Sequence, residues 1–206
     1  MSLVNAGHAV RVYDKEKSQM TNLISLGAEV ASSPANAAIN AEFILLSLPK
    51  TEHVQEVLFG DEGIIHTAQP GCVVIDMSTI SPDATRSFSE QLQRKGIGML
   101  DVPVSGGSSG ASNGTLSAMV GGSEKDLEKA MPLLNTLATT ITHVGGIGAG
   151  QAVKMVNQVI LVGNVMAMSE GLLLAREYGL DLDRTLEAIK GGAAGGEYSQ
   201  VIPMED

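Results

Sequence analysis

The sequence predicts an α/β protein in which a mostly parallel, doubly wound sheet is followed by an all-helical segment. Short apolar runs alternate with amphipathic helical stretches up to residue 147, which is the rhythm of βαβ units. One of these runs, Phe43–Leu46, is continuously apolar, as expected for a parallel strand covered on both faces. From Gly148 onward a long, almost unbroken apolar helix replaces the alternation. We therefore expect one domain over residues 1–147 and the start of an all-α domain over residues 148–206.

Seven strands are expected from apolar runs that are bounded by turn residues. They are Ala9–Tyr13, Ala28–Val30, Phe43–Leu46, Cys72–Asp76, Met99–Val104, Leu116–Val120 and Ile141–Val144. The expected helices begin near capping residues or prolines, and several stop at glycines. They cover Lys17–Leu26, a segment opening at Ser33 and Pro34, Glu52–Leu58, Pro82–Lys95, Glu124–Leu137, Gln151–Tyr178 and Asp183–Lys190.

Composition restricts the class of partner. The net charge of −10 argues against nucleic acid and against an anionic membrane surface. The single cysteine, Cys72, excludes an internal disulfide and suits a reducing cytosol. The N-terminus has no basic region followed by an apolar stretch, as a signal peptide would. The longest apolar run, residues 159–168, is interrupted by Gly163 and Asn164 and is expected to be too short to span a bilayer. We expect a cytoplasmic protein without nucleic-acid or membrane partners.

Candidate cofactor-binding residues follow the predicted strands, because ligands of doubly wound sheets bind outside the carboxyl ends of the strands. This rule selects Asp14, Leu48, Pro49, Ser78 and Thr79. In a Rossmann-like fold an acidic residue after the second strand binds the adenosine ribose, although a strand-terminal aspartate also commonly caps the next helix. The glycine-rich phosphate loop of such folds lies about 20 residues before that acid, which would place it upstream of Met1.

A glycine- and serine-rich segment, residues 105–115, lies between two predicted strands. Its composition is typical of a flexible linker. However, a glycine-rich turn between strands can also present successive main-chain N–H groups to an anion. On that interpretation a substrate carboxylate is bound by Ser105, Gly106 and Gly107.

Lys154 is the candidate catalytic residue. Spacings of three and four place Gln151, Asn157 and Gln158 on its face of the predicted helix. A lysine in the opening turns of a helix sits where the macrodipole disfavours a cation, which suits a role in proton transfer. A solvated surface lysine is the alternative. The glycines that precede the helix leave room for a close approach to its backbone.

Two long motifs resemble those of the β-hydroxyacid dehydrogenase family. Residues 101–116, DVPVSGGSSGASNGTL, resemble its substrate-binding segment, and residues 148–158, GAGQAVKMVNQ, resemble its catalytic helix. Residues 76–82, together with Leu48 and Pro49, are similar to its nicotinamide-side loops. The resemblance implies NAD(P)-dependent interconversion of a short 3-hydroxy acid and its semialdehyde.

The resemblance also implies roles for the candidate residues. Lys154 would be the general acid/base, Asn157 and Gln158 would orient the substrate and the lysine, and the carboxylate would be held by Ser105, Gly106 and Gly107. The nicotinamide ribose would contact Ser78 and Thr79. Asp14 favours NAD, because a carboxylate repels a 2′-phosphate, whereas Lys15 and Lys17 keep NADP possible. No metal site is expected.

Within the family, Gly191–Gly196 resembles the small-residue segment of tartronate semialdehyde (2-hydroxy-3-oxopropionate) reductases. That activity is expected, with 3-hydroxyisobutyrate dehydrogenase or a non-catalytic truncated remnant as alternatives. Compared with the family pattern, the chain is expected to lack segments at both ends. The broad apolar surface of the long helix predicts a homodimer or a homotetramer.

Overall fold

The computed structural model describes residues 2–192 and 194. The chain divides into two compact units, Met1–Val156 and Asn157–Asp206. Because only residues 2–192 and 194 are described, Ala193, Gly195 and Gly196 of the predicted small-residue segment Gly191–Gly196 lie outside the described residues.

The strands of the first unit form two sheets. A separate parallel pair joins β1 (Arg11–Val12) to β2 (Glu29–Val30). The six-stranded sheet contains β3 (Phe43–Leu46), β4 (Val73–Asp76), β5 (Gly98–Asp101), β6 (Val104–Ser105), β7 (Leu116–Gly121) and β8 (Ala138–Gly145). Its order is β3-β4-β5-β7-β6, with β8 also paired to β7. The pairs β3–β4, β4–β5 and β7–β8 are parallel, whereas β7 runs antiparallel to β5 and β6.

Nine α-helices lie within the described residues, accompanied by 3₁₀ turns at Lys17–Met20 and Ile64–His66. They are α1 (Ser2–Asn5), α2 (Thr21–Ser25), α3 (Pro34–Ala38), α4 (Thr51–Phe59), α5 (Pro82–Gln93), α6 (Gly107–Asn113), α7 (Glu124–Leu134), α8 (Ala149–Glu177) and α9 (Leu182–Lys190). Serine side chains cap several of them, as the sequence predicts: Ser33, Ser81 and Ser123 each accept a hydrogen bond from an N–H group of the first turn.

Helices cover both faces of the six-stranded sheet. Successive side chains of a strand point to opposite faces, and here both faces carry apolar side chains that are buried against helices. Val74 of β4 belongs to one core cluster with Leu58 of α4 and Leu92 of α5. Its neighbour Ile75 belongs to the other cluster, with Leu134 of α7. The doubly wound, mostly parallel α/β fold is therefore confirmed.

Several elements differ from the prediction. The helix expected over Lys17–Leu26 is a 3₁₀ turn, Lys17–Met20, followed by the short α2, and two further differences lie near the candidate site. The strand expected over Met99–Val104 is split into β5 and β6, because Pro103 has no N–H group to donate to a ladder. The segment expected to be a glycine-rich turn instead contains α6, Gly107–Asn113. Its C-cap, Gly114, has the left-handed φ of 69° that commonly ends a helix.

The long apolar helix α8 is 29 residues long, and an 18-residue window within it has a mean hydropathy of 1.5. By length and composition alone it is sufficient to cross a bilayer, so the expectation that this stretch is too short was wrong. The expected run covered only residues 159–168 and was treated as interrupted at Gly163 and Asn164, whereas the helix spans Ala149–Glu177 and continues through both.

Candidate active site

Lys154 lies in the second turn of α8 and is almost fully buried, with 8% of its surface exposed. Its Nζ donates a hydrogen bond of 2.8 Å to the main-chain carbonyl of Val104 in β6. Val104 immediately precedes Ser105, so the amine lies beside the segment predicted to bind a carboxylate. The solvated surface lysine considered as the alternative does not describe this side chain.

The start of α8 is held by a buried carboxylate. Asp101, at the end of β5, accepts a hydrogen bond of 2.7 Å from the N–H of Gly148 and one of 2.8 Å from the N–H of Gln151. Gly148 immediately precedes α8 and Gln151 lies in its first turn, where N–H groups have no partner within the helix. The anion also lies at the positive end of the macrodipole. Asp101 therefore fixes the start of α8 to the sheet.

The close approach that the glycines at the start of α8 permit is made by main-chain atoms of this protein. A Cβ atom at Gly150 would lie 2.7 Å from the carbonyl oxygen of Asp101 and would also meet the carbonyl oxygen of Met119. A Cβ atom at Gly148 would lie 3.1 Å from the carbonyl oxygen of Pro82. Close packing of α8 against the sheet therefore accounts for Gly150.

The side chain of Gln151 connects α8 to the loop after β4. Its Nε2 donates to the carbonyl of Ser78 at 2.8 Å, and its Oε1 accepts from the N–H of Ile80 at 3.1 Å. The side chain is completely buried, so both of its polar ends are satisfied without water. The helix that carries Lys154 is thereby tied to a predicted nicotinamide-side loop.

The structure brings the two predicted nicotinamide-side loops together. The Oγ of Ser78 accepts a hydrogen bond of 2.9 Å from the N–H of Leu48, and Ser78 is buried. Thr79 and Pro49, in contrast, are exposed next to these two residues. Thr79 thus presents a hydroxyl at the carboxyl end of β4, whereas the hydroxyl of Ser78 is engaged between the loops.

Asp14 lies two residues beyond the end of β1 and is exposed. Its Oδ1 accepts a hydrogen bond of 2.8 Å from the N–H of Glu16, so it also closes the turn before a 3₁₀ helix. Asp14 does not cap that helix, because its N-cap is Glu16 and no side-chain capping bond is made there; the capping interpretation is not confirmed. Contact with a ribose stays a prediction.

The predicted carboxylate-binding residues follow β6 directly. Ser105 is half-buried, and Gly106 and Gly107 are exposed with φ values of 129° and 62°. Side chains rarely adopt such positive φ values, so this bend depends on glycine. Whether the segment binds an anion stays a prediction.

Asn157 and Gln158 belong to the second compact unit, where α8 continues. The Nδ2 of Asn157 donates to the Oε1 of Gln158 at 3.2 Å. Their predicted contacts with substrate stay predictions.

Burial perturbs the two carboxyl groups beneath the site. It raises the pKa of Asp76 to about 6, with the N–H of Ser78 opposing the shift and the charge of Asp101 adding to it. It also raises the pKa of Asp101, against the opposing effect of the N–H groups of Gly148 and Gln151. Low dielectric favours the neutral acid in both cases.

Sequence reasoning did not select Asp76, Asp101 or the linking role of Gln151. A signal was present: two apolar runs, CVVID and MLD, each end in an aspartate. In parallel strands such ends meet at one sheet edge, which is also where a helix N-terminus can supply N–H donors.

Comparison with known proteins identifies the chain. Residues 1–145 match the NAD binding domain of 6-phosphogluconate dehydrogenase, and residues 148–204 match the family described as NAD-binding of NADP-dependent 3-hydroxyisobutyrate dehydrogenase. The chain belongs to the β-hydroxyacid dehydrogenase family. The resemblance inferred from its two long motifs is confirmed.

Individual relatives agree with this family. Over 98% of its length the chain is 40% identical to the 2-hydroxy-3-oxopropionate reductase of Escherichia coli K12, spanning 68% of that protein. Over 88% of its length it is 39% identical to the probable mitochondrial 3-hydroxyisobutyrate dehydrogenase of Dictyostelium discoideum, of which it spans 56%. A solved 3-hydroxyisobutyrate dehydrogenase from Mycobacterium tuberculosis superposes with a TM-score of 0.86 at 33% identity, covering 98% of this chain and 69% of that one.

NAD(P) is the cofactor of the matched domains, and the residues present fit parts of it. Thr79, which follows β4, and Asp14, which follows β1, are both exposed, and their oxygens are of the kind that hydrogen-bonds ribose hydroxyls; their contact with a ribose stays a prediction. Pro49 is exposed, whereas Leu48 packs partly against the core; their contact with a nicotinamide ring stays a prediction.

Proposed function

We propose that the chain carries the catalytic centre of an NAD(P)-dependent oxidoreductase that interconverts a short 3-hydroxy acid and its semialdehyde. One observation carries this proposal: Lys154 is buried, and its Nζ is held 2.8 Å from the carbonyl of Val104, beside Ser105. A shielded amine next to a candidate anion-binding segment suits a substrate that has a carboxylate near its reacting oxygen.

Lys154 transfers a proton at the reacting oxygen. During reduction its ammonium group donates a proton from Nζ to the aldehyde oxygen, which becomes the hydroxyl group. During oxidation the neutral amine accepts that proton. When bound, NAD(P) supplies or accepts the hydride. The main-chain N–H groups after Ser105, at Gly106 and Gly107, hold the carboxylate so that the oxygen meets the amine.

We propose 2-hydroxy-3-oxopropionate (tartronate semialdehyde) as the substrate, with glycerate as the product. Its support is the 40% identity to a reductase of that name and the small residues of Gly191–Gly196. Methylmalonate semialdehyde, the oxidised form of 3-hydroxyisobutyrate, is the second candidate because a dehydrogenase of that name is 39% identical.

NAD is the proposed preference over NADP. The carboxylate of Asp14 is exposed at the end of β1, where it would repel a 2′-phosphate. Lys15 and Lys17 are also exposed and would reduce that repulsion. Comparison of NADH with NADPH under identical conditions measures the preference.

We also propose a cytoplasmic protein that self-associates through α8 as a homodimer or homotetramer. Large apolar side chains of this helix are more than half exposed, including Val159 at 74% and Val165 at 57%. A continuous apolar surface of this kind is typical of an interface. A second copy is proposed as its cover in preference to a bilayer, because the net charge of −10 disfavours an anionic membrane surface.

The decisive experiment measures NADH oxidation with each semialdehyde for the parent chain, Lys154→Met and Lys154→Arg. We expect Lys154→Met to lower kcat by roughly 10³-fold, because general acid catalysis contributes 10² to 10⁴. Lys154→Arg keeps the charge but not a transferable proton, and should be nearly as slow.

Lys95→Met is the matched control, since Lys95 is exposed at the end of α5. Unchanged turnover in Lys154→Met would refute the proposed role of the lysine. Absence of both turnover and NADH binding in the parent chain would favour the non-catalytic alternative.

A further inference from the structure

We propose that Gln151 is a positioning residue that sets the distance between Lys154 and the nicotinamide-side loop at Ser78–Ile80. This inference rests on the proposed function, because it concerns the alignment of proton transfer and hydride transfer at one substrate carbon. Its basis is a continuous set of hydrogen bonds within the first compact unit.

The first step is the two-ended contact of the Gln151 amide. It donates to the carbonyl of Ser78 at 2.8 Å and accepts from the N–H of Ile80 at 3.1 Å. Two bonds to main-chain atoms on either side of Thr79 fix both the distance and the orientation of that loop. The amide cannot rotate without breaking both.

The second step connects this loop to the amine. Lys154 follows Gln151 by three residues, so one helical turn separates the two. The side-chain amine of Lys154 is held independently of Gln151, by its hydrogen bond to the carbonyl of Val104. A shift of the Gln151 side chain therefore changes the position of Thr79 relative to an amine that stays in place.

The third step separates this role from holding the helix. Asp101 already binds the main-chain N–H groups of Gly148 and Gln151, whichever side chain occupies position 151. Loss of the Gln151 amide should therefore leave the start of α8 in place. The side chain acts on the loop, and its loss should affect alignment more than folding.

The test compares the parent chain with Gln151→Met, which has a similar volume but no hydrogen-bonding amide. We expect kcat to fall roughly 30- to 100-fold, because small misplacements of reacting groups have effects of this size. The KM of the semialdehyde should change less than about threefold. The primary isotope effect with 4-deuterated NADH should increase, a change that a loss of folded protein alone would not cause. Gln93→Met, at an exposed position of α5, is the matched control.

A second arm uses the free chain without cofactor. In Gln151→Met the amide of Ile80 should exchange with deuterium at least tenfold faster, whereas the amide of Gly148, held by Asp101, should be unchanged. If the methionine variant does not fold, Gln151→Glu keeps an acceptor for Ile80 and removes the donor to Ser78. For that variant the fall in kcat and the larger isotope effect are the test, and exchange at Ile80 is expected to stay parental.

The outcomes separate the two proposals. Loss of kcat with faster exchange at Ile80 supports the positioning role. Parental kcat, or unchanged exchange at Ile80 in Gln151→Met, overturns it. Turnover by the parent that does not depend on Lys154 refutes the proposed function, whereas the exchange arm still decides whether Gln151 fixes the loop.

Discussion

Asp76 and Asp101 lie opposite each other in register on the adjacent parallel strands β4 and β5, and both are completely buried. Their surroundings differ. Asp101 accepts bonds from the first turn of α8, whereas the Oδ2 of Asp76 has no hydrogen-bond partner among the described residues. Two carboxyl groups buried side by side disfavour ionisation of each other. Burial and this mutual repulsion raise the pKa of Asp76, and burial raises that of Asp101.

Stability should fall as pH rises through the titration of Asp76. Burial raises its pKa from 3.8 to about 6, so between these values the folded chain binds more protons than the unfolded chain. The contribution of Asp76 to the free energy of unfolding then decreases as pH rises, by about 3 kcal/mol across this interval. Urea unfolding at several pH values between 4 and 7 measures this slope, and Asp76→Asn should flatten most of it. Asp101, whose pKa is also raised, accounts for the remainder.

Asp61→Asn serves as the control for this titration, because Asp61 is exposed. It should retain the parental slope. Identical slopes in the parent chain and in Asp76→Asn would contradict the raised pKa of Asp76.

Gly150→Ala should strongly destabilise the first unit, because its Cβ would lie 2.7 Å from the carbonyl oxygen of Asp101. Overpacking of this kind costs about 1–3 kcal/mol or more. Gly146→Ala is a matched control four residues earlier, since a Cβ there would have no atom within 4 Å. Thermal unfolding of both variants tests the contrast, and equal melting temperatures would contradict it.

Much of the fold follows from local patterns. The strand Phe43–Leu46 was predicted with its observed ends, because polar residues on both sides of a continuous apolar run mark where the strand begins and ends. Helix α6 was missed because glycine and serine are poor helix formers, and its packing against β7 is a tertiary effect.

The candidate site residues could be selected from the sequence, but the hydrogen bonds that connect them could not. Lys154, Ser105 and the loop residues Leu48 and Ser78 could be selected from motifs and strand ends. The bond of Leu48 to Ser78 joins residues 30 positions apart, and that of Gln151 to Ser78 joins residues 73 positions apart. Partners so distant in the chain depend on the assembled sheet, which no local pattern encodes.

Asp14→Asn should shift the cofactor preference toward NADPH. The asparagine Oδ1 can still accept from the N–H of Glu16, so the turn is kept while the negative charge is removed. Removing one like charge near a phosphate should change the ratio of kcat/KM for NADPH to that for NADH by roughly tenfold. Asp83→Asn, an exposed aspartate on α5, should leave the ratio unchanged. An unaltered ratio in Asp14→Asn would mean that Asp14 does not face the 2′ position.

Charges placed on α8 should abolish self-association. The parent chain is expected to sediment as a dimer or tetramer, because burying exposed apolar side chains such as Val159 and Val165 is favourable. The double variant Val159→Glu and Val165→Glu would place charges in that interface, so it should sediment as a monomer with an unchanged circular dichroism spectrum. Gln93→Glu adds a charge at an exposed position of α5 and should remain associated. Flotation of the parent with neutral phosphatidylcholine vesicles, together with monomeric sedimentation in their absence, would instead assign the apolar surface of α8 to a bilayer.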